Sequence, residues 1–256
     1  MRILMIGDVI GKPGRGAVKR LVPELRHDLS LDLVVANGEN AAGGIGLTPD
    51  TANELLEAEV DLITSGNHIW AHKEMVTSID NYPQVLRPLN YPDGVTGRGY
   101  AIVKNALVVN LIGRTFMGNF DCPFRSIDQL LKKLSDDRPA ITIIDFHAEA
   151  TSEKIALGWY LNGRVSSVTG THTHVGTIDA KILSSGTAFI TDIGMVGPVE
   201  SVIGDDIDAV INRFLTQMPH RISVGKGKVF FNSVVIDIDD KTGKAMSIAR
   251  IDREVD

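Results

Sequence analysis

Seven residues of this 256-residue chain carry metal-binding side chains and stand at or just beyond the end of a short apolar run: Asp8, Glu39, Asn40, Asn67, His147, His172 and His174. An eighth residue, His68, directly follows Asn67. In "VTGTHTHV" the two histidines are two positions apart. On a helix they would point about 200° away from each other, whereas on an extended segment they share a face, so the pair belongs to a strand end or a loop. Alone, His-x-His also suits a solvated pair or a hydrogen-bonded core pair. The other members change its meaning. Carboxylate, amide and imidazole form an oxygen and nitrogen donor set that suits manganese, iron or zinc, and it lacks the thiolates of a soft-metal site. Seven donors are too many for one tetrahedral zinc. They match two ions about 3.5–4 Å apart that share a bridging carboxylate and a hydroxide. With only Asp8 and Glu39 charged, two divalent ions leave a net positive site, suited to an anionic substrate.

The elements that must position these residues follow a repeating pattern. "RILMI" leads to helical spacing at Val18, Leu21, Val22 and Leu25. "DLVVA" leads through a glycine loop to a helix opened by Thr48-Pro49-Asp50. "DLIT" precedes a helix expected to begin near Ile69, and "AITIIDF" precedes one opened by Thr151-Ser152-Glu153 and ending near Gly163. "VSSV" leads to the histidine pair. Strands alternating with helices define an α/β layered fold with central β-sheets flanked by helices. In open α/β sheets ligands bind at the carboxyl ends of strands, so the eight residues are expected to converge. Gly38, Gly43, Gly44 and Gly66 are expected to let the chain turn there. "KVFFNSVVIDID" and "AMSIARID" predict a hairpin turning near Asp240 to Gly243. Residues 1–256 read as one domain, with a proline- and glycine-rich insertion around 81–125 that contains strands near Ala101 and Ala106.

The net charge of −6 argues against capture of duplex nucleic acid, although it leaves room for a small phosphate substrate. A single cysteine, Cys122, excludes an intramolecular disulfide and a multi-cysteine zinc site and points to a cytoplasmic protein. No apolar run has the length needed to cross a bilayer, and "MRILMIGDVI" reads as a first strand rather than a signal peptide.

Taken in order, "GD", "GEN", "GNH", a lone strand-end histidine and "GTHTH" resemble the motifs of the calcineurin-like metallophosphoesterases. Two positions depart from the usual pattern. Asp8-Val9-Ile10 stands where Asp-x-His is usual, and Gly38-Glu39-Asn40 stands where Gly-Asp is usual. Both departures resemble the YmdB-like branch, as do "GDVIGKPGR", "ANGENAAGG", "TSGNHIW", "DFHAEATSEK", "THTHVGT" and "TDIGMVGP". The resemblance implies a metallophosphoesterase fold in which Asp8, Glu39, Asn40 and His174 bind one metal. Glu39, as the bridge, would bind the second with Asn67, His147 and His172. It also implies His68 as the acid beside the scissile phosphate, iron or manganese as the metals with zinc as a third option, and a small phosphodiester as substrate, with 2',3'-cyclic nucleotides the associated class. A strained cyclic diester needs little leaving-group help, so His68 should matter less there than for a linear diester.

Other readings of the same chain are weaker. Lys12 is followed by proline where a P-loop needs serine or threonine, and no G-x-G-x-x-G occurs in "GKPGRG" or "GGIG". Lys12 and Arg15 are kept as candidates to steer phosphate at the rim. Cys122 has no assigned base near it in sequence and reads as a packed or loop thiol. Glu149 and Asp192 either orient ligands or cap helices. His27, His72 and His220 read as surface or packing residues. A regulatory protein that keeps the metal fold, a phosphomonoesterase and a nuclease are the alternatives to a phosphodiesterase. A homo-oligomer is compatible with the sequence.

Overall fold

A computed structural model describes residues 1–256. The strands are β1 (Arg2–Val9), β2 (Leu33–Asn37), β3 (Leu62–Thr64), β4 (Tyr100–Val103), β5 (Ala106–Ile112), β6 (Ile141–His147), β7 (Ser167–Thr171), β8 (Lys181–Ile182), β9 (Ala188–Ile190), β10 (Met195–Pro198), β11 (Val229–Phe231), β12 (Ser233–Ile238), β13 (Ala245–Arg250) and β14 (Arg253–Val255). The helices are α1 (Gly11–Leu29), α2 (Pro49–Glu57), α3 (Lys73–Ser78), α4 (Pro123–Lys133), α5 (Thr151–Tyr160) and α6 (Ile207–Thr216).

The strands form two sheets. In the first, β1 pairs in parallel with β2 and, at Asp8 and Val9, with β10, while its residues 2–6 pair antiparallel with β12. In the second, β5, β6, β7 and β9 run parallel, with β4 and β8 added antiparallel at the two edges.

The period of two along each strand explains how these sheets stack. Ile3 and Met5 of β1 pack into one core with Leu33, Val35, Val108, Ile143 and Ile190, and this core joins the two sheets face to face. The intervening Leu4 and Ile6 enter a second core with Val18, Val22 and Leu25 of α1 and Ala52 and Leu55 of α2. On the far side, Val109, Ile144 and Phe146 meet Ile127 and Leu130 of α4 and Leu157 of α5. The result is a four-layer helix, sheet, sheet, helix stack. Strands buried on both faces cannot show polar alternation, which is why "RILMI" and "AITIIDF" read as continuous apolar runs.

Most expected elements lie where the sequence placed them, and Thr48 caps α2 through a reciprocal capping box with Thr51. One does not. Residues after Asn67 form turns, and α3 begins at Lys73 rather than near Ile69. Within 81–125, β5 is a fully buried strand of the second sheet.

Candidate metal centre

The seam between the sheets gathers all eight sequence-selected residues. Asp8 lies at the end of β1, and its Oδ2 accepts a hydrogen bond from the His172 backbone N–H at 3.0 Å, linking the first sheet to the loop after β7. Glu39, two residues past β2, lies 2.9 Å through Oε1 from His147 Nε2 and accepts the His68 N–H at 3.1 Å through Oε2. The groups sort into two overlapping clusters. In one, His147 Nε2 lies 3.3 Å from Asn67 Oδ1 and 3.0 Å from His172 Nδ1. The ligand atoms of Glu39, His147 and His172 all fall within 4.8 Å of one another. In the other, His174 Nε2 lies 3.1 Å from the Asn40 amide and 3.8 Å from Asp8 Oδ1, and that Asn40 amide donates to Glu39 Oε1 at 3.4 Å. Glu39 touches both. His68 stands beside the first cluster, its Nε2 3.1 Å from the Asn67 amide.

Local backbone explains why this convergence is possible. A Cβ at Gly66 would collide with the His147 ring and with Glu39 Oε2. Gly66 therefore supplies room rather than the turning freedom expected of it, and Gly44, at φ +99°, supplies the turn. His172 and His174 have φ of +100° and +64°, conformations that L-residues with bulky side chains adopt only when the surroundings impose them. Here three contacts impose them. Asp8 takes the His172 N–H, Asp192 accepts both the Thr173 N–H (3.2 Å) and its hydroxyl (2.8 Å), and His174 Nδ1 lies 2.7 Å from the Ile203 carbonyl.

The electrostatics favour a cation. In the metal-free chain, burial pushes the Asp8 carboxyl up to about 6, an effect offset only in part by His174 and His147. Burial also raises the Glu39 carboxyl, but the charge and hydrogen bond of His147 outweigh it and hold Glu39 at about 2. Burial depresses His147, yet Glu39, Asp8 and Asp145 lift it to about 9, and burial plus the His147 charge press His172 down to about 3. Glu39 and Asp8 thus favour positive charge at this position. Asp8 Oδ1 is buried and finds no donor in the protein. An orphaned carboxylate oxygen beside two imidazoles, in an all oxygen and nitrogen donor set, fits a metal ion.

The surrounding groups are also placed. Glu149 Oε2 lies 3.1 Å from His172 Nε2. The His147 Nδ1 side faces Thr171 Oγ1 at 3.0 Å, and Thr171 in turn donates to buried Asp145 at 2.7 Å. Asp192 is fully buried and also meets the Lys154 ammonium at 2.6 Å. Lys154 escaped sequence reasoning because a lysine on an amphipathic helix ordinarily reads as solvated. Arg15 is not a rim cation: it pairs with Glu54 at 2.6 Å and donates to the Ala41 carbonyl, bracing the glycine loop. Neither Arg15 nor Lys12 lines the cavity beside the cluster, whose one lysine or arginine is Arg213. His72 Nε2 lies 2.9 Å from the Ile45 carbonyl, while His27 and His220 are exposed. Cys122 occupies the position before α4 without a side-chain capping bond and lines a separate cavity.

Two sheets packed face to face between helices, with carboxylate, amide and imidazole groups at their seam, define a layered metallophosphoesterase fold. The chain belongs to the YmdB-like protein family, whose model matches residues 4–251. It is 50% identical over 255 residues to a Bacillus subtilis (strain 168) protein named 2',3'-cyclic-nucleotide 2'-phosphodiesterase, covering 98% of this chain and 96% of that one. Among solved structures, a hypothetical protein from Thermus thermophilus superposes with a TM-score of 0.94 at 42% identity, covering 100% of both chains. A structure described as a novel phosphatase from Mycoplasma pneumoniae superposes with a TM-score of 0.93 at 33% identity, covering 100% of this chain and 94% of that one.

Proposed function

We propose that the protein is a metal-dependent phosphodiesterase that opens small phosphodiesters, 2',3'-cyclic nucleotides among them. The observation that carries this reading is the pair of donor clusters sharing Glu39 at the bottom of an accessible cavity. Asp8, Asn40 and His174 would hold one ion, Asn67, His147 and His172 the other, and Glu39 would serve both. Iron or manganese best suits this donor set, with zinc a third option. Bound metals supply Lewis acidity toward phosphoryl oxygens and lower the pKa of water to near neutrality.

The chain's own residues do the rest. His68 stands at the cluster edge with its backbone N–H on Glu39 and its Nε2 3.1 Å from the Asn67 amide, and its imidazole would protonate a departing alkoxide. Glu149 on His172, and Thr171 on His147, set ring orientation and tautomer. Asp192 and Asp8 fix the loop that carries both histidines.

The test is hydrolysis of bis-p-nitrophenyl phosphate, p-nitrophenyl phosphate and 2',3'-cyclic AMP with Mn²⁺ or Fe²⁺, in parallel with Asp8→Ala. Metal-dependent turnover of the diesters, weak turnover of the monoester and loss of both in the variant are expected. A protein shown to hold two metals that turns over none of these substrates would sink the reading.

A further inference from the structure

The cavity beside the cluster runs from the donor residues Glu39, Asn40, His172 and His174 outward to Ile203, Asp205, Arg213 and Ile222. It measures about 510 Å³, within the range of small-molecule sites. One wall is the glycine loop with Ile45, and another is the segment carrying Ile203 and Asp205, with Ile222 and Arg213 beyond. Ile45 is 49% exposed and Ile203 50% exposed, so two large apolar side chains face this space uncovered. The segment's register to the metal cluster is fixed, because His174 Nδ1 lies 2.7 Å from the Ile203 carbonyl.

Two charged side chains line the same space without spending their charge elsewhere. The half-buried Asp205 carboxylate has no hydrogen bond or ion pair to any other side chain, and its backbone alone secures the loop through Val202 at 2.9 and 3.0 Å. Arg213, in the last turn of α6, likewise has no carboxylate within ion-pair distance, although Asp205 lines the same cavity. A half-buried carboxylate that can accept two N–H groups, an exposed guanidinium that can donate to two acceptors, and isoleucines on the flanks together offer complementary contacts to the edges of a planar heterocycle.

From this geometry we infer that Asp205 and Arg213 select a guanine base, making guanosine 2',3'-cyclic phosphate the favoured substrate. The inference rests on the phosphodiesterase reading above. Guanine presents two adjacent donors, N1–H and the 2-amino group, which match a carboxylate. It also presents two adjacent acceptors, O6 and N7, which match an arginine. Adenine, cytosine and uracil each leave part of one charged group without a base partner, so they forgo contacts that guanine makes.

The experiment measures kcat/KM for guanosine, adenosine, cytidine and uridine 2',3'-cyclic phosphates with the Mn²⁺-loaded protein, then repeats the series with Asp205→Asn and Arg213→Gln. Guanosine 3'-monophosphate and uridine 3'-monophosphate are titrated calorimetrically against the same three proteins. The guanosine to uridine ratio should be about 10- to 100-fold in the wild type and should collapse toward unity in both variants, chiefly through KM, with binding of the guanosine monophosphate weakened in parallel. A flat base profile, or a guanosine preference that survives both substitutions, overturns the proposal. Wild-type turnover of bis-p-nitrophenyl phosphate, which has no base, reports separately on the phosphodiesterase reading. If that turnover is missing, the calorimetric guanosine preference still decides the role of Asp205 and Arg213.

Discussion

Lys154 Nζ lies 2.6 Å from Asp192 Oδ2 with both side chains 1% exposed, and that same oxygen accepts the Thr173 hydroxyl between His172 and His174. An ion pair of this kind is weak evidence of net stability, because desolvating two charges costs about as much as their attraction returns. Its value here is positional: it fixes an anion under a backbone segment with two positive φ angles. Lys154→Met keeps the volume but leaves Asp192 charged, buried and without its cation. Thermal unfolding should show a loss of about 3–5 kcal/mol, or roughly 6–20 °C. Lys154→Met with Asp192→Asn should recover more than half of that loss, while metal affinity measured by titration stays below wild type. Full recovery of both quantities would show the pair to be packing alone.

Glu39 Oε1 reaches both donor clusters, at 2.9 Å from His147 Nε2 and 3.4 Å from the Asn40 amide. Glu39→Gln should therefore reduce bound metal from two ions to one or none by elemental analysis and abolish diester turnover. Chelation should also lower the melting temperature of the wild type by about 5–10 °C for each ion removed at metal concentrations near 100 times Kd, since the ions bind only the folded chain. In Glu39→Gln that shift should shrink or vanish. Equal metal content in the two proteins would remove Glu39 from its bridging role.

His68 should contribute in proportion to how poorly the leaving group departs. His68→Ala should slow an unstrained dinucleoside diester by about 10²- to 10⁴-fold, a strained cyclic nucleotide by less, and bis-p-nitrophenyl phosphate least. Single-turnover rates on the three substrates give the slope. A uniform loss across them would assign His68 to binding rather than to proton transfer.

Arg250 grips Asp252 through two hydrogen bonds of 2.8 Å and also donates to the Thr177 and Ile193 carbonyls at the base of the histidine loop. Burial raises the Asp252 carboxyl, but hydrogen bonds from Arg250 and Asn232 outweigh it and hold it below the usual range. A depressed carboxyl adds stability that is complete above its unfolded pKa and is lost as pH falls through the folded value. The loss should accordingly set in below about pH 4. Denaturant midpoints measured from pH 7 down to pH 2.5 should fall less steeply in Asp252→Asn than in the wild type. An identical acid limb would contradict the assignment.

The strand-end positions of Asp8, Glu39, Asn40, Asn67, His68, His147, His172 and His174 were legible because an apolar run ending in a polar ligand is a local signal. What local signal cannot show is which residues stand behind them. Lys154 sits at an ordinary helical position, and only the packing of α5 on β7, whose parallel neighbour β9 leads into Asp192, brings the two together. The place of Arg213 beside the cluster was hidden for a similar reason, since nothing within α6 says that its last turn lines the same cavity as Glu39 and His174. Arg15 shows the reverse error: a cation close in sequence to Asp8 is spent on Glu54. The expected helix at Ile69 failed because Gly66 to Ala71 must fold tightly over Glu39 and His147, and that tertiary demand overrides apolar spacing.

The seam itself imposes an order on maturation. Asp8, Glu39, Asn40 and Asn67 belong to the first 67 residues, while all three cluster imidazoles lie beyond residue 146, on the second sheet. A chain emerging from the ribosome exposes these carboxylates and amides long before His147, His172 and His174 arrive to add imidazole selectivity. On the metal reading proposed above, metal choice would wait until both sheets have closed, and a truncated chain ending before β6 would lack His147, His172 and His174.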